Sequence, residues 1–345
     1  MNKNILAALV VAGALAGPGA EAARAQGDDR AGTAAMEELL VPVTPRTVAL
    51  GNAFTSGLGN ANSVEAVLSN PAAMVVGTGT SAMFSRTNYW ADIGVNYFGI
   101  AQRFGVNSVG ITLTAWDYGD IFRQTEAAPE IDSSATWDAS TYVVGATFAR
   151  QFTDRIAAGV TLKGLGRQID NVNSSGVAFD AGMTYIVGES GLRFGVSLKN
   201  FGTGMSFGGD GLQRPIPQQG PGGSGEIGGE IDDLSSELPS SLNFGAAYTT
   251  PLSGDINVTA LANFRSNAYD LDNYAAGVEL GYQELFYLRG GVDVRGSQDV
   301  NAWDMWNVGA GLNLDLSGTR IAVDYAYRPS NVFGGVNMFS VGLGL

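Results

Sequence analysis

With 345 residues, a formal charge of −14 and neither cysteine nor histidine, the chain lacks the groups on which Ser-His-Asp, Cys-His and His–zinc chemistry depend. The same inventory supplies no disulfide, no lipid-attachment cysteine and no thiolate metal ligand, and its acidity leaves no basic footprint for nucleic acid. A content of 49 glycines with only 15% charged residues is unusual for a soluble globule, but fits a barrel wall with few charges outside and small residues inside.

Lys3, the apolar run Ile5 to Ala16 and the small-x-small site Ala23-Arg24-Ala25 have the three parts of a secretory signal peptide. Residues 1–25 are therefore expected to be removed, with cleavage before Gln26 and export of the mature chain. The run is too short to cross a bilayer as a helix, and nothing later resembles one.

Residues 26–78 show no strand alternation. Thr33 is placed to cap a short helix with Glu37 and Glu38 near its positive end, and Pro42 and Pro45 should stop it. A second helix is expected from Asn62 to Ser69. Asn62 with Glu65 makes a capping-box-like start, and Pro71 biases Asn70 out of the helical region. Gly51, Gly57 and Gly59 mark tight backbone upstream. A compact non-β segment ahead of a barrel reads as a hatch inside the lumen, in preference to an appendage outside it.

From Thr80 onward a period of two recurs. In Thr319 to Arg328, Ile321, Val323, Tyr325 and Tyr327 face one way and Arg320, Ala322, Asp324, Ala326 and Arg328 the other. Leu192 to Lys199, Leu242 to Thr249 and Leu312 to Leu316 repeat the pattern. In 256–265 it holds with Leu261 as the one apolar residue on the polar side. Strands are expected near 80–90, 91–104, 107–118, 137–152, 155–169, 175–188, 191–201, 238–250, 254–267, 272–283, 286–296, 302–316, 319–328 and 336–345. That is about fourteen, an even number, each at or above the roughly nine to eleven residues that a tilted strand needs to cross a bilayer.

A soluble sandwich would alternate as well, so connection lengths decide. Turns at 105–106, 153–154, 188–191, 251–254, 284–285 and 317–318 are tight, whereas 119–136, 170–174, 202–237, 268–271, 297–301 and 329–335 are mostly longer. Short turns on the periplasmic side and long loops outside are what an outer-membrane barrel has, the tight hairpin near Trp90 being an exception. Tyr89, Trp90, Trp116, Tyr118, Trp137, Trp303 and Trp306 are expected in an outer aromatic girdle, and Phe152, Tyr248, Tyr282 and Phe286 in an inner one. The Gly- and Pro-rich stretch 202–237 reads as a mobile surface loop, whose acidic end, Glu226 to Asp233, is either a solvated edge or a hard-cation site, the former preferred. In the last strand Phe339, Val341, Leu343 and Leu345 should meet lipid, while Ser340, Gly342 and Gly344 leave lumen room for the hatch.

Leu50-Gly51-Asn52-Ala53-Phe54-Thr55, followed by Ala66-Val67-Leu68-Ser69-Asn70-Pro71-Ala72, resembles the "LGGAF…NPA" hatch of PorV/PorQ proteins, relatives of FadL-type transporters of hydrophobic compounds. Asn200-Phe201-Gly202, Leu238-Pro239-Ser240-Ser241-Leu242 and the final hairpin, Val323 to Tyr327 with Phe339 to Leu343, are similar to later motifs of the same proteins. Ser69 stands where an aromatic residue is common, and the chain ends in Leu345 instead of an aromatic residue. The resemblance implies a fourteen-stranded barrel with an N-terminal plug, and carries the hatch motif onto Gly51, Phe54, Asn70, Pro71 and Ala72. For PorV it also implies a part in type IX secretion.

The expected protein is thus an all-β, transmembrane antiparallel β-barrel of about fourteen strands with a small N-terminal helical hatch. Residues 1–25 form the signal peptide, 26–78 the hatch segment and 79–345 the barrel, in the outer membrane of a Gram-negative-type bacterium. No catalytic residue, cofactor or metal is expected; membrane lipid and the barrel assembly machinery are the expected partners. Two functions compete: a type IX partner for secreted proteins is the preferred reading, and a FadL-like conduit for hydrophobic small molecules the alternative. A conduit would use Phe54, Leu58, Val64, Val67 and Leu68 as candidate lining, whose simpler role is packing of the hatch against the wall.

Overall fold

Fourteen antiparallel strands close into one barrel in the computed structural model. They are β1 (Thr80–Asn88), β2 (Gly94–Phe104), β3 (Asn107–Asp117), β4 (Ala139–Gln151), β5 (Ile156–Ile169), β6 (Val172–Ile186) and β7 (Leu192–Gly202). The ring continues through β8 (Ser241–Ser253), β9 (Ile256–Asn267), β10 (Asn273–Tyr282), β11 (Phe286–Arg295), β12 (Trp306–Leu316), β13 (Thr319–Arg328) and β14 (Val336–Gly344). Each strand pairs with its sequence neighbour, and β14 returns to β1, opposing Val341 to Phe84. The structure describes residues 30–345 except 60–61, 78, 125–134, 221–222, 231–234, 297–305 and 331–333. The expected signal peptide, Trp303 and the Ile231–Asp233 part of the acidic loop end lie outside the described residues.

Strand number and order agree with the sequence reading, and the differences lie at the turns. The β5–β6 connection, expected to be longer, is tight: Ile169 pairs with Val172, and Asp170 takes the left-handed conformation at φ 50°. β2 starts at Gly94 because Ala91 and Asp92 are also left-handed, at φ 52° and 61°. The 202–237 stretch, expected as a structureless loop, contains an antiparallel ribbon pairing Gln213–Gly220 with Gly223–Glu230. A ribbon satisfies its backbone groups internally and needs no apolar core to do so. The two ends of the stretch dock through Met205 and Leu238, which are buried with Met36, Leu165 and Ala178.

Alternation sorts the wall into two chemistries. Phe339 is 51% exposed and Ser340 only 2%, and Ile111 and Leu113 face outward while Thr112 and Thr114 face the lumen. Exposed Phe, Leu, Ile and Val on nearly every strand form an apolar belt that requires lipid around it. Phe152, Tyr282 and Phe286 are exposed at the tight-turn end. Trp116, placed in the outer girdle by its sequence position, instead points inward, in phase with Thr112 and Thr114. It packs between Tyr89 and Tyr118, at ring-centroid distances of 5.9 and 6.4 Å, over the apolar hatch residue Val43. Parity along the strand overrode the preference of tryptophan for an interface.

The hatch holds a 3₁₀ turn at Glu37–Leu40, α1 (Pro45–Ala49), α2 (Ser63–Val67) and a 3₁₀ turn at Pro71–Val76. Thr33 caps no helix; its hydroxyl donates to the Arg30 carbonyl at 2.7 Å. Asn70 is extended at φ −158° and the helix before it has ended, as Pro71 was expected to bring about; Pro45 and Pro71 in addition each begin a turn, because the first helical position needs no N–H donor. Asn62 caps α2 by accepting from Val64 N at 2.9 Å, but Glu65 does not complete the capping box and turns into the lumen instead. α1 lies against β11–β14, α2 against β1 and β2, and the Pro71–Val76 turn against β3–β6. The 50–58 stretch meets β7, β8, β10 and β11, so the segment touches the wall on every side of the lumen.

Candidate functional site

The hatch backbone approaches the wall where the inward residue is glycine. A Cβ on Gly195 would stand 2.7 Å from Ser56 Cα, one on Gly245 2.8 Å from Ser56 N, and one on Gly277 3.0 Å from Leu50 Cα. Only a residue without a side chain allows that approach. Leu261, apolar on an otherwise polar lumen face, has its partner here. It is 3% exposed and joins Leu50, Phe54, Leu58 and Ala66 of the hatch.

The hatch-motif residues hold this plug together. Gly51 is left-handed at φ 64° with its Cα against the Val292 backbone, and Phe54 is fully buried with the Arg46 guanidinium 5.7 Å from its ring centre. Asn70 Nδ2 donates to the Thr55 carbonyl at 2.9 Å and reaches the wall carbonyl of Met183 at 3.2 Å, while its Oδ1 accepts from Ala72 N at 3.0 Å. Pro71 and Ala72 sit on Gly159 of β5. Asn70→Ala is expected to lower the stability of the seated hatch by about 1–3 kcal/mol, since it removes a cap and strands a buried carbonyl. Pro71→Ala should cost less than about 1 kcal/mol. Small-ion leakage through reconstituted barrel measures both, and unchanged leakage in both variants would rule out a seating role.

Of the candidate lining residues, Leu58, Val64 and Val67 are buried in hatch-to-wall packing, and Leu68 reaches a cavity. That cavity, of about 110 Å³, lies between hatch residues 38–44 and the wall. Its lining combines the apolar Leu39, Val41, Val43, Leu68, Trp116 and Val143 with the polar Lys163, Lys199, Arg265 and Asn243. Lys163 is held by Asp180 at 2.6 Å and Asn200 at 2.8 Å, where the β6–β7 register shifts and Asn200 is left-handed at φ 58°. Among the described residues no carboxylate pairs with Lys199, and the buried Nε of Arg265 has no hydrogen-bond partner. Sequence reading put Arg265 and Lys199 on the lumen side of their strands but gave no sign that they meet, because they come from different strands.

Glu38 fastens the outer edge of the hatch. It accepts from Tyr118 Oη at 2.5 Å and Thr141 Oγ1 at 3.4 Å, and pairs with Arg167. Burial and the bond to Glu38 push the Tyr118 phenol up from its ordinary value.

Three further cavities, of about 220, 230 and 310 Å³, lie on the tight-turn side, and none shares a lining residue with the outer one. Between the two levels runs a chain of buried charges. Arg46 Nη2 of α1 bonds Glu279 Oε1 at 2.9 Å, Arg289 Nε bonds Glu279 Oε2 at 2.7 Å, and Arg289 also pairs with Asp324. Glu65 of α2 faces this chain, and burial, opposed by Arg46, pushes its carboxyl up to about 7.

No protein-family model matches the chain, and no curated protein is similar to it in sequence. Among solved structures it is similar to the CymD monoaromatic hydrocarbon channel, at 13% identity over 88% of this chain and 97% of that one, with a TM-score of 0.54. The toluene transporter TbuX of Ralstonia pickettii gives 12%, 87%, 96% and 0.53, and a Pseudomonas aeruginosa FadL homologue 12%, 88%, 98% and 0.52. At these identities the likeness is one of architecture, and the chain has the closed fourteen-stranded fold of FadL-like outer-membrane barrels.

Proposed function

We propose that this protein is an outer-membrane channel for hydrophobic small molecules, exported by residues 1–25 and plugged by the segment up to residue 78. The outer cavity carries this reading: its lining combines apolar Leu39, Val43, Leu68 and Trp116 with the cations Lys199 and Arg265. A molecule with an apolar body and an acidic group matches both kinds of lining at once. The structural neighbours, a hydrocarbon channel and a toluene transporter, support passage of apolar compounds. Lipid against the apolar belt and the assembly machinery during insertion are the partners this reading implies.

The test is uptake of a labelled medium-chain fatty acid and a labelled alkylbenzene into vesicles holding the barrel. Joint replacement Lys199→Ala and Arg265→Ala is expected to reduce acid uptake by about tenfold or more, since charge-assisted bonds are each worth about 1.5–3 kcal/mol, and to leave alkylbenzene uptake unchanged. If neither compound enters faster than into empty vesicles, the channel reading fails.

A type IX partnership with secreted proteins is the second reading, supported by the motif resemblance and by the strand ribbon in 202–237, whose outer edges could pair with a protein strand. Recovery of secreted proteins sharing one C-terminal domain, in a pull-down from the native host, would favour it over the channel.

A further inference from the structure

The chain Arg46–Glu279–Arg289–Asp324 contains two guanidinium groups and two carboxylates, and is neutral by itself. Glu65 is a fifth charged group beside it. It is 2% exposed, and one carboxylate oxygen has no hydrogen-bond partner among the described residues. Four elements direct charge at it: Arg46 from α1, Glu279 from β10, Arg289 from β11 and Asp324 from β13. From β2, Tyr97 spends its hydroxyl on the Val64 carbonyl at 2.8 Å and offers Glu65 no donor. An ionised Glu65 therefore adds a surplus negative charge where both cations are already matched, a state that burial makes costly.

Glu65 also opens onto the tight-turn side. It lines the cavity of about 230 Å³ that passes Ser63, Ser81 and Asn313 and ends at Gly318, Arg320 and Leu345, the tight-turn rim of the barrel. That lining carries Asn62, Asn313, Asp315 and Arg320 besides Ala322, Leu343 and Leu345, and the outer cavity beneath residues 38–44 shares no residue with it. Water and protons thus have a path to Glu65 from the periplasmic end.

We infer that Glu65 is a proton-operated latch of the hatch, loaded from the periplasmic side: protonated, it lets the hatch seat on the β10–β13 wall, and ionised, it drives the hatch off. The direction follows from which state binds the proton. The seated hatch holds the carboxyl in its neutral form and the released hatch exposes it to water, so seating is favoured at acid pH and lost as pH rises through about 7. This goes beyond the channel reading, because it concerns the plug and not what passes it.

The test is conductance of the full-length mature barrel in a planar bilayer with potassium chloride as probe, so its outcome does not depend on any hydrophobic ligand. Protease cleavage of the 202–237 ribbon identifies the outer chamber. Conductance is expected to stay low at about pH 5.5 and to rise toward about pH 8.5 in the tight-turn chamber, the released-to-seated ratio changing about tenfold per pH unit within the titrating range. The pH of the outer chamber should have no effect, and Glu65→Gln should stay at the low level throughout. A wild-type conductance independent of pH, a dependence that survives Glu65→Gln, or one that follows the outer chamber would each overturn the proposal. If Glu65→Gln does not insert, proteolysis of residues 30–78 in the wild-type barrel decides: faster cutting at the higher pH supports the latch, and equal cutting overturns it. Failed uptake of hydrophobic compounds with the pH response intact would sink the channel reading and leave this one standing.

Discussion

Arg289→Met is expected to release the hatch at every pH. Its guanidinium bonds Glu279 at 2.7 Å and pairs with Asp324, all three side chains being buried in the lumen. Methionine keeps most of the volume and removes the charge, which leaves two buried carboxylates with Arg46 as the remaining cation of the chain. Breaking a buried ion pair by deleting one partner costs about 3–5 kcal/mol, because the other charge is left desolvated and uncompensated. The expected readouts are a raised small-ion conductance without pH dependence and rapid proteolysis of the hatch. The double replacement Arg289→Met, Asp324→Asn should regain part of the loss, since it leaves Arg46 paired with Glu279 and strands no full charge. Wild-type conductance in Arg289→Met would show that the charge chain does not hold the plug.

Gly195→Leu and Gly277→Leu should expel the hatch while leaving the wall intact. At both positions even a Cβ overlaps hatch backbone, at 2.7 Å from Ser56 Cα and 3.0 Å from Leu50 Cα, and no rotamer of a longer chain avoids it. Overpacking of cores costs about 1–3 kcal/mol where side chains can yield, and more where backbone meets backbone. The wall is tied by ladder hydrogen bonds on both edges of each strand, so the hatch is the part that moves. Heat-modifiable gel migration should stay that of a folded barrel, with residues 30–78 open to protease. Gly164→Ala and Gly290→Ala, where an added Cβ meets nothing within 4 Å, serve as controls expected to behave like wild type. A protected hatch in both leucine variants would contradict the close approach on which the plug is built.

The wall was legible in the sequence because alternation is local: each strand carries its own record of inside and outside, and turns announce themselves through glycine and chain length. The hatch was legible as a segment that is not a strand and as one short helix with Asn62 at its start. Its fastening depends on pairs such as Arg46 and Glu279, 233 residues apart, and no local pattern encodes which lumen position a plug residue will meet. Leu261 came nearest to such a signal. An apolar side chain on a polar face implied a partner in the lumen, and the partner is the Leu50–Leu58 stretch. Trp116 misled for the converse reason, since residue type pointed to an interface while its parity with Thr114 pointed inward. Pro45 and Pro71 told only half, since Asn70 is extended as expected before Pro71, but each proline also begins a turn from its first position.

The seam between β1 and β14 joins the two ends of the barrel sequence, with Thr80 and Leu345 exchanging backbone bonds at 3.2 and 2.8 Å. Pairing across so long a stretch of chain is the slowest kind to find, because the loop must be closed before any contact repays it. The hatch straddles that seam. Asn62 bonds the Ala82 carbonyl at 3.3 Å, Ser85 bonds both Val43 and Phe339, and α1 lies on β14. A segment that ties the first and last strands together from inside is placed to template ring closure, so the part that fills the lumen would also help the barrel to assemble. Variants selected for a freer passage would then be expected to fold more slowly, which sets a limit on how loosely the plug can be built.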